Sequence, residues 1–461
     1  MKEYRNRFFV GTQTASIQQV GSVANLRSVP KPTLGLVLYW LGGYLIYSLF
    51  HIVAFPLVLV RFLGRIRHGR YRGVIFRRLL GGTKPPREGD WSLIIATSMG
   101  ETRTAVQAAD EISRECSPDV AVLTQLPRLP NALRANDSIY PIGYAPFNSP
   151  FAALLALWQW RPKQILFVEF SGNYHLAFAA KILRIPTALI NVNLPEDRKV
   201  RLLRKPLGKW QFSFVDTFFV QASCHARRLE QLDVHPDRIY VSGISLGAFE
   251  SPVAGSSAAK SKWQSLLQIP DGTHVVLAGS TYHDEELELI AAMKILWEHH
   301  PDAVLILAPR QLGRRGGADS ALLEAKIDFD RRSQLDRFER AAPVILLDTV
   351  GELRELYSIA TVAHIGGTLV DGVGGHTPLE ALSSLVPMTL GPYFRQQEAA
   401  VQLVSDSGVA EICANASQLA AVWNYAIEHP ELKSTILELA QRAAQSRNAV
   451  FADLYRLLTS A

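Results

Sequence analysis

Cysteine is scarce. Cys116, Cys224 and Cys413 are the only three, odd in number, far apart and without metal-ligand spacing. That pattern excludes a disulfide framework and a zinc site and argues for buried thiols in a reducing compartment. Acidic residues are nearly missing from the start of the chain: residues 1–90 hold 14 Lys and Arg against 3 Asp and Glu, whereas the rest is net acidic, so the overall +6 is a local feature. A nucleic-acid surface spread over the whole protein is thereby excluded, and a basic segment beside an anionic membrane leaflet fits instead. From Pro32 to Val60 charge of either sign is lacking altogether. Such a run is long enough for one membrane span, and too long and too late for an ordinary cleaved signal peptide. A buried or interfacial helical hairpin broken at Gly42-Gly43 and Pro56 is the other reading of the same run. Asp-x-Asp occurs once, as Asp328-Phe329-Asp330 before Arg331-Arg332. It follows no strand and reads as solvated, so neither a metal nor a cofactor is expected.

What the chain does have is glycine at chosen places. A β-branched run, Thr361 to Ile365, reads as a buried strand ending in Gly366-Gly367, and Gly374-Gly375 follows eight residues on. After it, His376-Thr377 could cap a helix with Pro378 in first position and Glu380 in the first turn. Strand, glycine loop and helix start make a place to hold an anion on backbone N–H groups. A tight turn of any α/β protein is the plainer reading. Upstream, Trp91 to Thr97 reads as a first strand, followed by Ser98-Met99-Gly100-Glu101 and a helical pattern from Thr102 to Cys116. A carboxylate there sits at the carboxyl edge of a parallel sheet, where open α/β proteins bind ligands, although a first-turn Glu also simply favours its helix dipole. Strand-like runs alternate with helical lengths through residues 119–242 and again from His274 to Gly391, the rhythm of two α/β domains. At 461 residues the chain suits two domains and an appendage.

These landmarks resemble the Kdo transferases, membrane-associated enzymes that add 3-deoxy-D-manno-octulosonic acid to lipid A. Gly366-Gly367-Thr368-Leu369-Val370, Gly374 through Glu380 and Gly391-Pro392 match the family's glycine series at its spacing, with Thr377 in place of Asn. Ser98-Met99-Gly100-Glu101 matches its Ser-Val-Gly-Glu, whose Glu is the general base. Gly279-Ser280-Thr281, Ala308-Pro309-Arg310 and Asp348-Thr349-Val350-Gly351-Glu352-Leu353 also have counterparts, as do Tyr71-Arg72 and Arg78-Leu79-Leu80-Gly81 after an apolar anchor. Glu169 matches the first Glu of the family's Glu-Thr-Glu-Leu-Trp-Pro-Asn. The continuation Phe170 to His175 departs from it, and Gly243-Ile244-Ser245 replaces a Gly-Asn at the domain junction.

The resemblance implies an α/β protein of two facing Rossmann-like domains, the B-type glycosyltransferase fold, with an N-terminal membrane-anchor helix. The expected divisions are a mobile arm at 1–31, the anchor at 32–62, a basic juxtamembrane segment and linker at 63–90, an acceptor domain at 91–250, a linker at 251–262 and a donor domain at 263–461. Residues 311–340 are expected to form a mobile loop near the donor. The implied activity is inverting transfer of Kdo or a related sugar from a CMP-activated donor to a lipid A-type acceptor, on the cytoplasmic face of the inner membrane, with no nucleic acid involved. Glu101 would be the base, and Ser98, Gly100 and Glu169 would meet the acceptor. Gly279, Ser280, Thr281, Pro309, Arg310, Gly351, Glu352, Gly366, Gly367, Gly374, Gly375, His376, Thr377 and Glu380 would hold the donor. A UDP-sugar transferase acting on a lipid acceptor, and a tethered paralogue that binds nucleotide sugar or glycolipid without turnover, are the alternatives.

Overall fold

A computed structural model of the chain describes residues 34–35, 37–49, 74–116, 119–126, 140–169, 173–194, 209–243, 257–311, 317–335, 338–406 and 408–441. The arm expected at 1–31, the end of the expected anchor beyond 49, the basic segment before 74, the departure at 170–172 and linker residues 251–256 lie outside the described residues. The chain divides into two compact units, one built on Gln19–Gly247 and the other on Ala248–Gln445.

Short apolar runs make the strands of both units. In the first, β1 (Ser92–Ala96), β2 (Val120–Thr124), β3 (Ile142–Tyr144), β4 (Gln164–Val168), β5 (Thr187–Val192), β6 (Thr217–Val220) and β7 (Ile239–Val241) form one sheet in the order β3-β2-β1-β4-β5-β6-β7. Every pairing in it is parallel. A parallel sheet needs a cover on both faces, and the side-chain alternation delivers one. Leu93, Ile95, Ala121, Leu123, Ile165 and Phe167 enter one core, while Ile94, Ala96, Val120, Val122, Leu166 and Val168 enter the other.

The second unit repeats the plan with β8 (Val275–Thr281), β9 (Val304–Pro309), β10 (Phe329–Arg331), β11 (Val344–Leu346), β12 (Val362–Ile365), β13 (Met388–Leu390) and β14 (Ala410–Ile412), ordered β10-β11-β9-β8-β12-β13-β14. Strand order reverses between β1 and β4 in one unit and between β8 and β12 in the other, so each sheet has a crevice at the carboxyl ends of those strands.

Two expectations need correction. Residues 311–340 are not simply a loop: helix Ala318–Glu324 and edge strand β10 lie within them. Asp330 is no solvated acid there, because its Oδ2 accepts the Ala341 and Ala342 N–H groups at 2.8 Å each and so shapes the turn into β11.

The expected anchor also differs: among the described residues no helix is long and apolar enough to cross a membrane. Described residues 37–49 are helical straight through Gly42-Gly43. They pack one face on the first unit's core through Val37, Trp40, Tyr44 and Tyr47. Trp210 Nε1 donates to Trp40 O at 3.1 Å, and Tyr44 stacks on Phe178 at 3.8 Å. A Cβ on Gly43 would stand 2.2 Å from the Trp210 ring, which explains glycine at the crossing.

Candidate functional site

The first half-site stands at the crevice between β1 and β4. Helix Met99–Cys116 starts three residues earlier than its apolar period suggests, so Glu101 lies in the first turn. Its side chain is turned back and almost buried, at 9% exposure. Thr97 N donates to Oε2 at 2.7 Å and Thr97 Oγ1 lies 2.7 Å from both carboxylate oxygens. Ser98 caps the turn, its Oγ accepting Glu101 N–H at 3.1 Å, and Gly100 leaves open space where a Cβ would meet nothing nearer than Ser98 Oγ at 3.9 Å. Donors from β1's end thus hold and aim the carboxylate.

Glu169 follows β4, the neighbour of β1, with its backbone in the left-handed region at φ 54°. Asn191 Nδ2 donates to Glu169 Oε1 at 3.2 Å, and Gln221 Nε2 holds Asn191 Oδ1 at 3.0 Å. Burial pushes the Glu169 carboxyl up to about 7, and the charge of Glu101 adds to the rise while the Asn191 amide opposes it. Of these two carboxyl groups at neighbouring strand ends, Glu169 is the one that burial leads to keep its proton to near neutrality. Neither Thr97 nor Asn191 stood out in the sequence, since both are ordinary strand-end residues until folding aims them.

The second half-site lies at the crevice between β8 and β12. There Ile365 is in register with Gly279, and Gly366 N donates to Gly279 O at 2.8 Å. The backbones approach so closely that a Cβ on Gly366 would stand 2.4 Å from Ser280 O. Ser280 is left-handed at φ 60°, the kind of strain that functional turns carry. Thr281 Oγ1 is buried, donating to Glu286 at 2.8 Å, and Arg310 N donates to Thr281 O at 2.9 Å just after Pro309 ends β9. Gly367, Gly374 and Gly375 all have positive φ, at 70°, 92° and 82°. His376 stacks on Tyr282 at 5.9 Å. Burial and then the Arg310 charge hold its ring below the usual histidine range, with Glu285 opposing. Arg310, His376, Tyr282 and the glycine turns are thus one cluster.

The helix expected to start at Thr377 is weaker than its sequence suggests. It covers only Leu379–Ser383, with Pro378 as the cap residue and no side-chain cap, and Thr377 Oγ1 accepts Leu379 N–H at a long 3.4 Å. His376 N is already given to Gly366 O at 3.2 Å. This short helix, without a side-chain cap, is therefore no strong N-terminus for an anion. Glu380 stands behind the loop, where its charge, after burial, raises the Tyr357 phenol. Glu352 is engaged otherwise, accepting Thr349 Oγ1 at 2.5 Å and pairing with the buried Arg332 at 3.2 Å, while Gly351 has φ 94° and open space around its Cβ position. Sequence reasoning missed Glu285, whose signal was a Glu three residues past a helix boundary. It is wholly buried and accepts Tyr282, Gly367 and Leu369 N–H at 2.9, 2.6 and 3.2 Å.

Residues 73–245 match the family model described as 3-deoxy-D-manno-octulosonic-acid transferase (kdotransferase). A 3-deoxy-D-manno-octulosonic acid transferase of Chlamydophila psittaci is 26% identical over 405 residues, covering 85% of this chain and 90% of that protein. The enzyme of the same name from Haemophilus influenzae is 25% identical over 390 residues, covering 81% and 88%. Among solved structures, a glycosyltransferase from Rickettsia africae shares the fold with a TM-score of 0.56 at 13% identity, over 81% of this chain and 99% of its own.

Proposed function

We propose that this chain, a glycosyltransferase and a homologue of the Kdo transferases over most of its length, moves Kdo or a related sugar from a CMP-activated donor to a lipid A-type acceptor with inversion. The observation that carries the reading is the Glu101 carboxylate, held by Thr97 at the β1 crevice within Ser98-Met99-Gly100-Glu101. In the reaction, the acceptor hydroxyl gives its proton to Glu101 as its oxygen bonds to the anomeric carbon. The bond from that carbon to the phosphate oxygen breaks and CMP leaves. General-base help of this kind contributes on the order of 100- to 10,000-fold. Gly374 and Gly375 would bring backbone N–H groups to the nucleotide beside the Gly366-Gly367 turn, whose own N–H groups are taken by Gly279 O and Glu285, and Arg310 would neutralise its phosphate. Glu169, keeping its proton to near neutrality, would donate a hydrogen bond to the acceptor beside the base.

A membrane surface is the proposed workplace, on its cytoplasmic face, through interfacial attachment. Leu34, Leu38, Leu41, Leu45 and Leu49 recur at helical spacing and are exposed, opposite the face that packs on the first unit. Such an amphipathic helix suits a bilayer interface, and the Lys/Arg excess of residues 1–90 suits anionic headgroups. The test of the donor is release of CMP from CMP-Kdo with a lipid A precursor as acceptor, run beside UDP-sugars. Turnover with a UDP-sugar and none with CMP-Kdo would replace this reading by the UDP-sugar alternative.

A further inference from the structure

The crevice of the first unit holds an amide that the reaction as described does not use. Asn173 is 3% exposed, and its Nδ2 is buried with no hydrogen-bond partner among the described residues. The side chain is fixed all the same, because Gln125 Nε2 donates to its Oδ1 at 2.8 Å. Asn173 also stands at the N-cap of helix Tyr174–Ile182, a position where asparagine ordinarily turns its oxygen to the first N–H groups of the helix. Here it makes no such bond, so helix capping does not account for the residue. A primary amide carries two N–H donors, and leaving both unpaired away from water is costly, so a buried orphan of this kind needs a reason.

Its place in the sheet supplies one. Gln125 follows β2, and its backbone N–H donates to the carbonyl of Ala96, the last residue of β1, at 2.9 Å. Asn173 comes after β4, on the other side of β1. The bond between the two amides therefore spans the carboxyl end of β1, where the next residue, Thr97, holds the Glu101 carboxylate. Gln125 is itself anchored, since the buried Arg78 donates Nη1–H to its carbonyl oxygen at 3.2 Å. One strand end thus carries both the proposed base and an amide with two donors to spare.

We propose that Asn173 is an acceptor-binding residue: its Nδ2–H groups donate to an oxygen of the acceptor sugar next to the hydroxyl that Glu101 deprotonates, while Gln125 holds the amide in that orientation. The inference rests on the reading above that this crevice receives the acceptor. A sugar suits such a donor, because its hydroxyl and phosphate oxygens all offer lone pairs. Donating to an oxygen that does not react, the amide binds the acceptor equally before and during attack. Its loss therefore shows in the acceptor KM rather than in kcat.

The test uses the full chain with CMP-Kdo and a lipid A precursor in mixed micelles, measuring acceptor KM and kcat, and calorimetry for CMP binding. Asn173→Ala should raise the acceptor KM about tenfold, the worth of one hydrogen bond whose loss leaves its partner unpaired, with kcat within about twofold. CMP affinity should stay as in the wild type. Gln125→Ala removes the brace but not the donors, and should raise the acceptor KM by less than Asn173→Ala does. Asn173→Asp separates binding from bracing, and is assayed at pH 8 to keep the new carboxyl ionised. One of its oxygens still accepts the Gln125 amide and the other can cap the helix, so it should melt no lower than the wild type. Yet it presents an oxygen where Nδ2 stood, and should raise the acceptor KM at least as far as Asn173→Ala. A wild-type acceptor KM in Asn173→Asp or Asn173→Ala, or an equal rise in Gln125→Ala and Asn173→Ala, would mean that the amide at most braces the strand ends. Either result overturns the inference and leaves the acceptor crevice standing. No transfer by the wild type to the lipid A precursor overturns the acceptor reading itself, and the inference with it.

Discussion

Glu101 and Glu169 stand at the ends of neighbouring strands and are expected to respond in opposite ways to the same substitution. Glu101→Gln keeps the shape and the Thr97 contacts but removes the basicity, so turnover should fall by about two orders of magnitude or more with CMP affinity unchanged. A Glu that only served its helix dipole would instead cost roughly 0.3–1 kcal/mol of stability and little activity. For Glu169 the carboxyl is raised to about 7 from 4.5, chiefly by burial. The raised value means that the folded state holds this proton more tightly than the unfolded chain does. The associated stability is therefore complete below pH 4.5 and is lost as pH rises through about 7. Glu169→Gln should remove that dependence and be the more stable form at pH 8, by roughly 1–3 kcal/mol. Denaturant melts of both proteins at pH 5 and pH 8 check the sign: equal losses across this range in the two would mean that Glu169 is not the titrating group. The rate profile should lose its inflection near 7 in the same variant.

At the scale of elements, the glycine turns show two distinct reasons for the same residue. Gly366 has backbone where a Cβ would go, 2.4 Å from Ser280 O, whereas Gly351 has open space and only a positive φ of 94°. Gly366→Ala must push β8 and β12 apart at the crevice, at a cost of about 1–3 kcal/mol and with loss of CMP binding. Gly351→Ala must only strain its own backbone, at about 1 kcal/mol, and should weaken CMP binding less than Gly366→Ala does. Melting and calorimetry on the two variants separate these cases, and equal binding losses in both would mean that the turn is not the nucleotide site. The helix of residues 37–49 makes a similar point: Gly43 serves close packing on Trp210 rather than a helix break.

For the whole molecule, attachment and catalysis are expected to separate. Replacing Leu38, Leu41 and Leu45 with Ser changes exposed side chains opposite the Trp40 face. The variant should leave anionic vesicles in flotation assays while still binding CMP as the wild type does. Continued flotation would shift attachment to another part of the chain. Loss of both flotation and CMP binding would mean that the substitutions disturb the fold itself.

Local pattern determined much by itself. Continuous apolar runs such as Leu166-Phe167-Val168 and Val304 to Leu307, broken by glycine and followed by helical periods, were enough for two parallel α/β units, and Ser98 to Glu101 and the paired glycines were visible as strand-end sites. These are short-range properties, because strand, turn and helix start are each encoded within a few residues. Strand order was decided only in three dimensions, and with it which strand ends meet. That is why Glu169 feels Glu101 and why Gly366 abuts Ser280, although 68 and 86 positions separate them. Tertiary contact likewise packed residues 37–49 of the uncharged run on the first unit's core and buried Glu285 beside His364. An uncharged helix or a buried ionisable side chain has no defined partner until packing brings one to it.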